Sequence, residues 1–251
     1  MTIKAYPKIN LCLKVYKGFV EGKHKIDSIM YLYKGIYDLI TIKKASDLYI
    51  LYKDNGKEIS ISDCLVSKAL KYLENKYGID INYHIRIIKR IPFASGLGGG
   101  SADAAAVMNY VIDQQKVAIP LDLKEIALEL GSDIPFLLSR YRIARVKEIG
   151  QYVTPIYNWR PKVELHFNNV IASTTQVFAS LEQDPDYVSR VNVNNIINNR
   201  LYKQHSINVV YNDLTKYIIQ NYKELHDEYK KYPNKSFFTG AGSTIVTLKD
   251  N

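Results

Sequence analysis

The chain has 251 residues, 47% of them hydrophobic and 24% charged, with a formal net charge of +9. That apolar content over that length supports a buried core in one large domain or two modest ones, and excludes a disordered polymer. Two cysteines, Cys12 and Cys64, exclude a disulfide framework and read as small buried hydrophobes, and no pair of His or Cys has structural zinc spacing, so no protein-held metal site is expected.

Residues 2–16 and 36–54 are rich in Ile, Leu, Val and Tyr with partial alternation, which predicts strands. From Ser62 to Tyr77 the period changes. Leu65, Val66, Ala69, Leu70 and Leu73 fall at helical spacing and Gly78 supplies a stop, so an amphipathic helix is expected. Ile81, Tyr83, Ile85 and Ile87 then alternate with Asn82, His84 and Arg86, the pattern of a strand with one apolar face, ended by Pro92. Ala102–Gln114 has the small-residue composition of a tightly packed helix. Asp122 and Glu125 make a capping-box-like start for a helix over Leu123–Leu130, closed by Gly131. A strand over Val163–Phe167, polar helices rich in Asn and Tyr, and a strand-like run over Thr244–Leu248 complete the chain. The sum predicts an α+β protein of two lobes, residues 1–154 and 155–251.

No segment reaches the roughly 18 uninterrupted apolar residues of a membrane helix. The opening MTIKAYPKINLCLKVY lacks the basic-then-apolar plan of a signal peptide. A cytoplasmic protein without a membrane partner is therefore expected. The positive charge is scattered in short clusters mixed with acids, as at Tyr229-Lys230-Lys231-Tyr232, which favours a solvated basic surface over a nucleic-acid groove. A polyanionic small substrate would be served by the same field.

Between the predicted strand and the small-residue helix lie Gly96, Gly98, Gly99 and Gly100, four glycines in five residues. A P-loop requires Gly-Lys-Ser/Thr at its end, and this loop has Gly99-Gly100-Ser101. A Rossmann fingerprint requires a third glycine where Ser101 stands. What fits is a flexible loop whose free N–H groups meet the positive end of a helix, a ready anion site. A tight turn alone needs one or two glycines; four, each removing a Cβ from a ligand's path, point to phosphate.

Pro92-Phe93-Ala94-Ser95-Gly96-Leu97-Gly98-Gly99-Gly100-Ser101-Ala102 resembles the P-x-x-x-G-L-G-G-G-S/A-S/A loop of the GHMP kinase superfamily. Further segments resemble that family in order: Pro7-Lys8-Ile9-Asn10-Leu11, Gly22-Lys23-His24, Leu130-Gly131-Ser132-Asp133-Ile134-Pro135-Phe136, Asn212-Asp213-Leu214 and Thr239-Gly240-Ala241-Gly242-Ser243. The triple glycine after leucine is most similar to the branch whose substrate is a cytidine diphosphate-linked methylerythritol.

The resemblance implies a two-lobed GHMP kinase fold, with a ribosomal protein S5 domain 2-like N-terminal lobe and a ferredoxin-like C-terminal lobe. It implies ATP on the loop Pro92–Ala102, Mg²⁺ bound with ATP, and transfer of the γ-phosphoryl group to the 2-hydroxyl of the cytidine diphosphate-linked alcohol. A monomer or weak homodimer is expected, and the scattered charge leaves nucleic acid out of its partners. A kinase for another small alcohol, of homoserine or mevalonate type, and a non-catalytic nucleotide-binding protein of the same fold stay open beside it.

Phosphoryl transfer needs a phosphate cradle, a positive charge near the reacting oxygens and an acceptor for the alcohol proton. The resemblance assigns the last two roles to Lys8 and Asp133. Read alone, Asp133 would be a helix N-cap and Lys8 a solvent-facing strand lysine. Asn10 shares the face of Lys8 and reads either as a substrate contact or as a satisfied strand asparagine. His24, Phe178, Thr239 and Gly240 complete the implied substrate side, with a core phenylalanine the equal reading for Phe178. The sequence departs from the family pattern at Lys23, where a cytosine-stacking tyrosine is expected. It departs again over Ser139–Gln151, which lacks a G-x-G-E character.

Overall fold

A computed structural model describes residues 1–54, 56–60, 64–115, 118–198, 211–232 and 236–249. The N-terminal half runs β1 (Thr2–Ala5), β2 (Lys8–Val20), β3 (Lys23–Leu32), β4 (Asp38–Lys44), β5 (Tyr49–Asp54), β6 (Lys57–Ser60), α1 (Leu65–Tyr77), β7 (Tyr83–Ile88), α2 (Gly99–Asp113), α3 (Leu123–Glu129), α4 (Ile134–Leu138), β8 (Ile143–Glu148) and β9 (Tyr152–Pro155). It continues through β10 (Val163–His166), α5 (Thr174–Gln183), α6 (Val193–Asn198), α7 (Thr215–Asn221), α8 (Lys223–Tyr229), β11 (Ser236–Phe238) and β12 (Ile245–Leu248). Among the described residues no helix is long and apolar enough to cross a membrane.

Three sheets organise these elements. The first has the order β1-β4-β7-β5-β6, antiparallel except for the parallel β5–β7 pair, across which α1 makes the connection. The second, β2-β3-β8-β9, and the third, β10-β12-β11, are antiparallel throughout. β7 shows why the first sheet packs on one face only: Tyr83, Ile85 and Ile87 are buried while His84 and Arg86 stay in water. α1 and α2 cover the apolar face. The small side chains Ala102, Ala104 and Ala105 bring α2 close to its neighbours, and Val107, Met108 and Val111 fill the contact.

β2 is the backbone of the molecule. Its Ile9 and Leu11 belong to the core beneath α1 and α2, whereas Leu13 and Val15 belong to a second core with Val177 and Leu181 of α5, Ile218 of α7 and Phe238 of β11. The segment around Asn212 covers the free edge of β2: Leu13 N–H donates to Tyr211 C=O at 2.6 Å and Asp213 N–H to Leu13 C=O at 3.0 Å. The Asn-Asp-Leu motif is thereby explained as a structural tie. Asn212 Nδ2 also donates to the carbonyls of Phe238 and Gly240, holding the loop before β12 in place.

Several boundaries differ from the sequence reading. α2 begins at Gly99 rather than Ala102, because the glycines themselves enter the first turn. Asp122 caps α3 through the N–H groups of Lys124 and Glu125, but Glu125 does not reach back; it binds Lys76 and the Tyr72 hydroxyl instead. Ser62 lies outside the described residues, and α1 starts at Leu65 with Cys64 as its cap. β8 falls inside the stretch that departs from the family pattern, where Ile143, Ala144 and Val146 bury against β3.

Candidate active site

The glycine loop runs from the end of β7 into α2. Gly98 is the N-cap residue of α2 with φ +68°, and no side chain caps the helix, so the amides of its first turn are left for a ligand. A Cβ on Gly98 would stand 2.9 Å from Asp133 Oδ2 and 3.2 Å from Lys8 Cε, so glycine here permits the loop to close on both side chains. Gly96, at φ +75°, is pressed against the loop before β12: a Cβ would run into the carbonyl oxygens of Thr239 and Gly242. Thr244 N–H donates to Ser95 C=O at 3.1 Å and ties the two loops together. At Gly100 a Cβ would meet nothing, since that position opens onto the cavity.

That cavity, of about 860 Å³, has Lys8, Asn10 and Asp133 on its wall beside Gly96, Gly98 and Ser101. Period-two alternation in β2 explains the first pair: Ile9 and Leu11 point into the core, so Lys8 and Asn10 share the opposite face. Lys8 is buried. Its Nζ donates to Asn10 Oδ1 at 2.6 Å and to Gly96 C=O at 2.8 Å, and stands 3.5 Å from Asp133 Oδ2. Asn10 is held from the other side, its Nδ2 donating to Ser28 Oγ at 2.9 Å, while Ser28 donates to Cys12 C=O. The ammonium is thus fixed by a chain of satisfied hydrogen bonds, with a carboxylate in front of it. Asp133 occupies the N-cap position of α4 yet makes no capping bond, which leaves its carboxylate facing Lys8 and the cavity.

At the other end the cavity is aromatic. β2 and β3 meet in a two-residue turn, Glu21 and Gly22, both at positive φ as a primed hairpin turn requires. The register pairs Phe19 with His24, so the two rings share a face, 4.5 Å apart between centroids. His24 also stacks on Phe178 of α5 at 4.8 Å, and its Nδ1 lies 3.3 Å from Glu182 Oε1. Phe19 is 62% exposed and lines the cavity, as do Lys23, His24 and Phe178. Phe19 had no motif to mark it in the sequence; its cross-strand pairing with His24 is the signal that finds it.

Three residues read from the sequence as ligand contacts lie behind the wall. Leu97 and Ala102 are buried in the core, and Thr239 is buried with its Oγ1 accepting Asn10 N–H at 2.9 Å. They shape the site from beneath. Gly240 reaches the wall, where a Cβ would approach Lys8 Nζ to 3.3 Å. The remaining loop residues, Pro92, Phe93, Ala94, Ser95 and Gly99, line the cavity with those already named.

A buried ionic group beneath the loop was not legible from the sequence. Lys89 Nζ bridges the carboxylates of Asp38 and Asp103, all three out of water, with Asp103 Oδ2 at 2.7 Å. Asp38 Oδ1 also accepts the N–H groups of Arg90 and Ile91. Burial pushes the Asp103 carboxyl up to about 7 against the pull of Lys89. Burial alone would lower the Lys89 ammonium, but the two carboxylates outweigh it and raise it.

A strand–glycine loop–helix unit closed over a lysine–aspartate pair fits a class, the small-molecule kinases of the GHMP type. The family description "GHMP kinases N terminal domain" matches residues 64–140. The 4-diphosphocytidyl-2-C-methyl-D-erythritol kinase of Ureaplasma parvum serovar 3 is 33% identical, covering 99% of this chain and 96% of its own. That of Clostridium perfringens is 29% identical over 100% of this chain and 89% of its own. Among solved structures, a 4-(cytidine 5'-diphospho)-2C-methyl-D-erythritol kinase superposes with a TM-score of 0.79 at 22% identity, over 100% of this chain and 91% of that one. Homoserine kinase from Cytophaga hutchinsonii superposes with a TM-score of 0.60 at 13% identity, over 100% and 85%. The chain has the GHMP kinase fold and belongs to the 4-diphosphocytidyl-2-C-methyl-D-erythritol kinase family.

Proposed function

We propose that the chain transfers the γ-phosphoryl group of ATP to the 2-hydroxyl of 4-diphosphocytidyl-2-C-methyl-D-erythritol, a step in isoprenoid precursor synthesis. The observation that carries this reading is that the uncapped start of α2 and the Lys8–Asp133 pair open onto one cavity. A polyphosphate on the α2 amides has its terminal group at that pair, and an alcohol reaching in from the aromatic end meets it there.

In this mechanism Asp133 accepts the hydroxyl proton as the oxygen attacks phosphorus. Lys8, held by Asn10 and Gly96, stabilises the negative charge gathering on the transferring oxygens. The chain supplies little covalent chemistry; positioning and charge do most of the work in such transfers. Mg²⁺ bound with ATP would neutralise phosphate charge, and the Ser101 hydroxyl on the cavity wall would hold either the ion or a phosphate oxygen. Phe19, His24 and Phe178 receive the planar base, with the imidazole as its hydrogen-bonding edge.

The same reading includes ATP contacts along the loop at Pro92–Gly96 and Gly98–Ser101, with Leu97 and Ala102 bracing it from beneath, lobes divided at 154/155, a cytoplasmic location and a monomer or weak homodimer that binds no nucleic acid. ADP release measured with the cytidine diphosphate-linked alcohol, homoserine or mevalonate tests it. Release confined to the first substrate is expected. Equal release with the others would assign the chain to a different alcohol, and none with any would make it a binding protein.

A further inference from the structure

The ion triad beneath the glycine loop joins two points that are separate along the chain. Asp38, at the start of β4, holds the exit from β7 by accepting Arg90 and Ile91 N–H, the second at 2.9 Å. Asp103 lies in α2, on the far side of the loop. Lys89 Nζ binds both. It also lies against the underside of the phosphate site: a Cβ on Gly99 would come within 3.6 Å of Nζ, and Lys89 itself reaches the cavity wall.

We propose that Asp38, Lys89 and Asp103 form a strut whose Asp103 arm is a positioning element for the nucleotide, setting the spacing between the loop's exit from β7 and the first turn of α2. The inference rests on the reading that this loop carries ATP. A phosphate cradle built from backbone amides binds well only if those amides already point at the anion, because ordering them on binding subtracts from affinity. Glycines cannot supply that order themselves, since they are the freest residues in the chain. The strut supplies it from below, leaving the upper surface of the loop bare for ligand.

The charge arithmetic agrees with this placement. Two carboxylates and one ammonium carry a net negative charge, unfavourable beneath a polyphosphate, and the upward push on the Asp103 carboxyl by burial reduces it near neutrality. Among the described residues Asp103 Oδ1 has no hydrogen-bond partner, and Oδ2, the atom on Lys89, is the working oxygen. An amide oxygen can replace it; a methyl group cannot.

The test compares Asp103→Ala with Asp103→Asn in the full-length chain, using calorimetric titration with ATP and steady-state kinetics. Asp103→Ala should weaken ATP binding about tenfold and raise the KM for ATP in parallel, leaving the KM for the alcohol unchanged. Asp103→Asn, which keeps an acceptor for Lys89, should bind ATP within about twofold of the parent. Should the alanine variant not fold, Asp103→Ser, too short to reach Lys89, replaces it with the same expectation. ATP affinity unaltered by Ala or Ser, or Asn as weak as Ala, overturns the strut while leaving the kinase reading intact. A parent chain that binds no ATP overturns both.

Discussion

Lys8 Nζ and Asp133 Oδ2 stand 3.5 Å apart, one carried on β2 and the other at the head of α4, and Gly98 is the residue whose missing side chain lets the loop close over them. A buried ammonium with two further acceptors and a carboxylate spared from capping is an arrangement with no evident structural need. A strand lysine that only supported the fold would be cheaper exposed.

Asp133→Asn retains shape but not the proton acceptor. The expected result is a loss of kcat of about 10²–10⁴-fold with ATP affinity within a few-fold of the parent, measured by ADP release and nucleotide titration. Equal turnover in the variant would remove Asp133 from the mechanism.

Two glycines of one loop should respond in opposite ways. Gly96→Ala drives a Cβ into the carbonyls of Thr239 and Gly242 at φ +75°, so the melting temperature should fall, with about 1–2 kcal/mol lost to the left-handed backbone alone. Gly100→Ala meets no protein atom and should melt like the parent, yet its methyl group projects into the space for phosphate, so the KM for ATP should rise. Unchanged ATP affinity in Gly100→Ala would mean the phosphates lie elsewhere.

This difference also marks what the sequence could convey. The loop was legible because a local pattern carried it, four glycines in five residues, whereas Lys8 and Asp133 took their roles from the family resemblance: read alone, one is a solvent-facing strand lysine and the other a helix N-cap. The triad of Asp38, Lys89 and Asp103 was not legible, because its members come from a strand start, a strand end and a helix interior that only the sheet order β1-β4-β7 brings together. Phe19 was hidden for a related reason, since a hairpin register decides which side chain shares a face with His24. Thr239 and Leu97 were read as contacts because they sit inside motifs; burial shows that a motif also contains the residues that brace it.

The aromatic end should act on the alcohol alone. Phe19→Ala should raise the KM for the cytidine diphosphate-linked substrate about two- to twelvefold, corresponding to about 0.5–1.5 kcal/mol for a lost ring contact, with the KM for ATP unchanged. Phe19→Tyr should restore it. A Phe19→Ala enzyme with an unaltered KM for both substrates would show that the base binds away from the β2–β3 hairpin.

Stability should depend on pH through Asp103. Its folded-state value, raised to about 7 by burial with Lys89 and Asp38 facing it and the buried Tyr52 nearby, lies above the ordinary carboxyl value of 3.8. A raised value means the contribution is fully present below about 4 and lost as pH climbs through 7. Melting temperatures between pH 5 and 8 should therefore decline more steeply in the parent than in Asp103→Asn, which has no proton to lose. Parallel curves would show that Asp103 does not titrate in this range.

The most direct measurement is a crystal structure with a non-hydrolysable ATP analogue and the cytidine diphosphate-linked alcohol bound together. The account predicts the β- and γ-phosphates on the amides of Gly98–Ser101, with the 2-hydroxyl within hydrogen-bonding distance of Asp133 and in line with the γ-phosphorus. Polyphosphate bound outside the loop, or a hydroxyl held away from both Lys8 and Asp133, would contradict it.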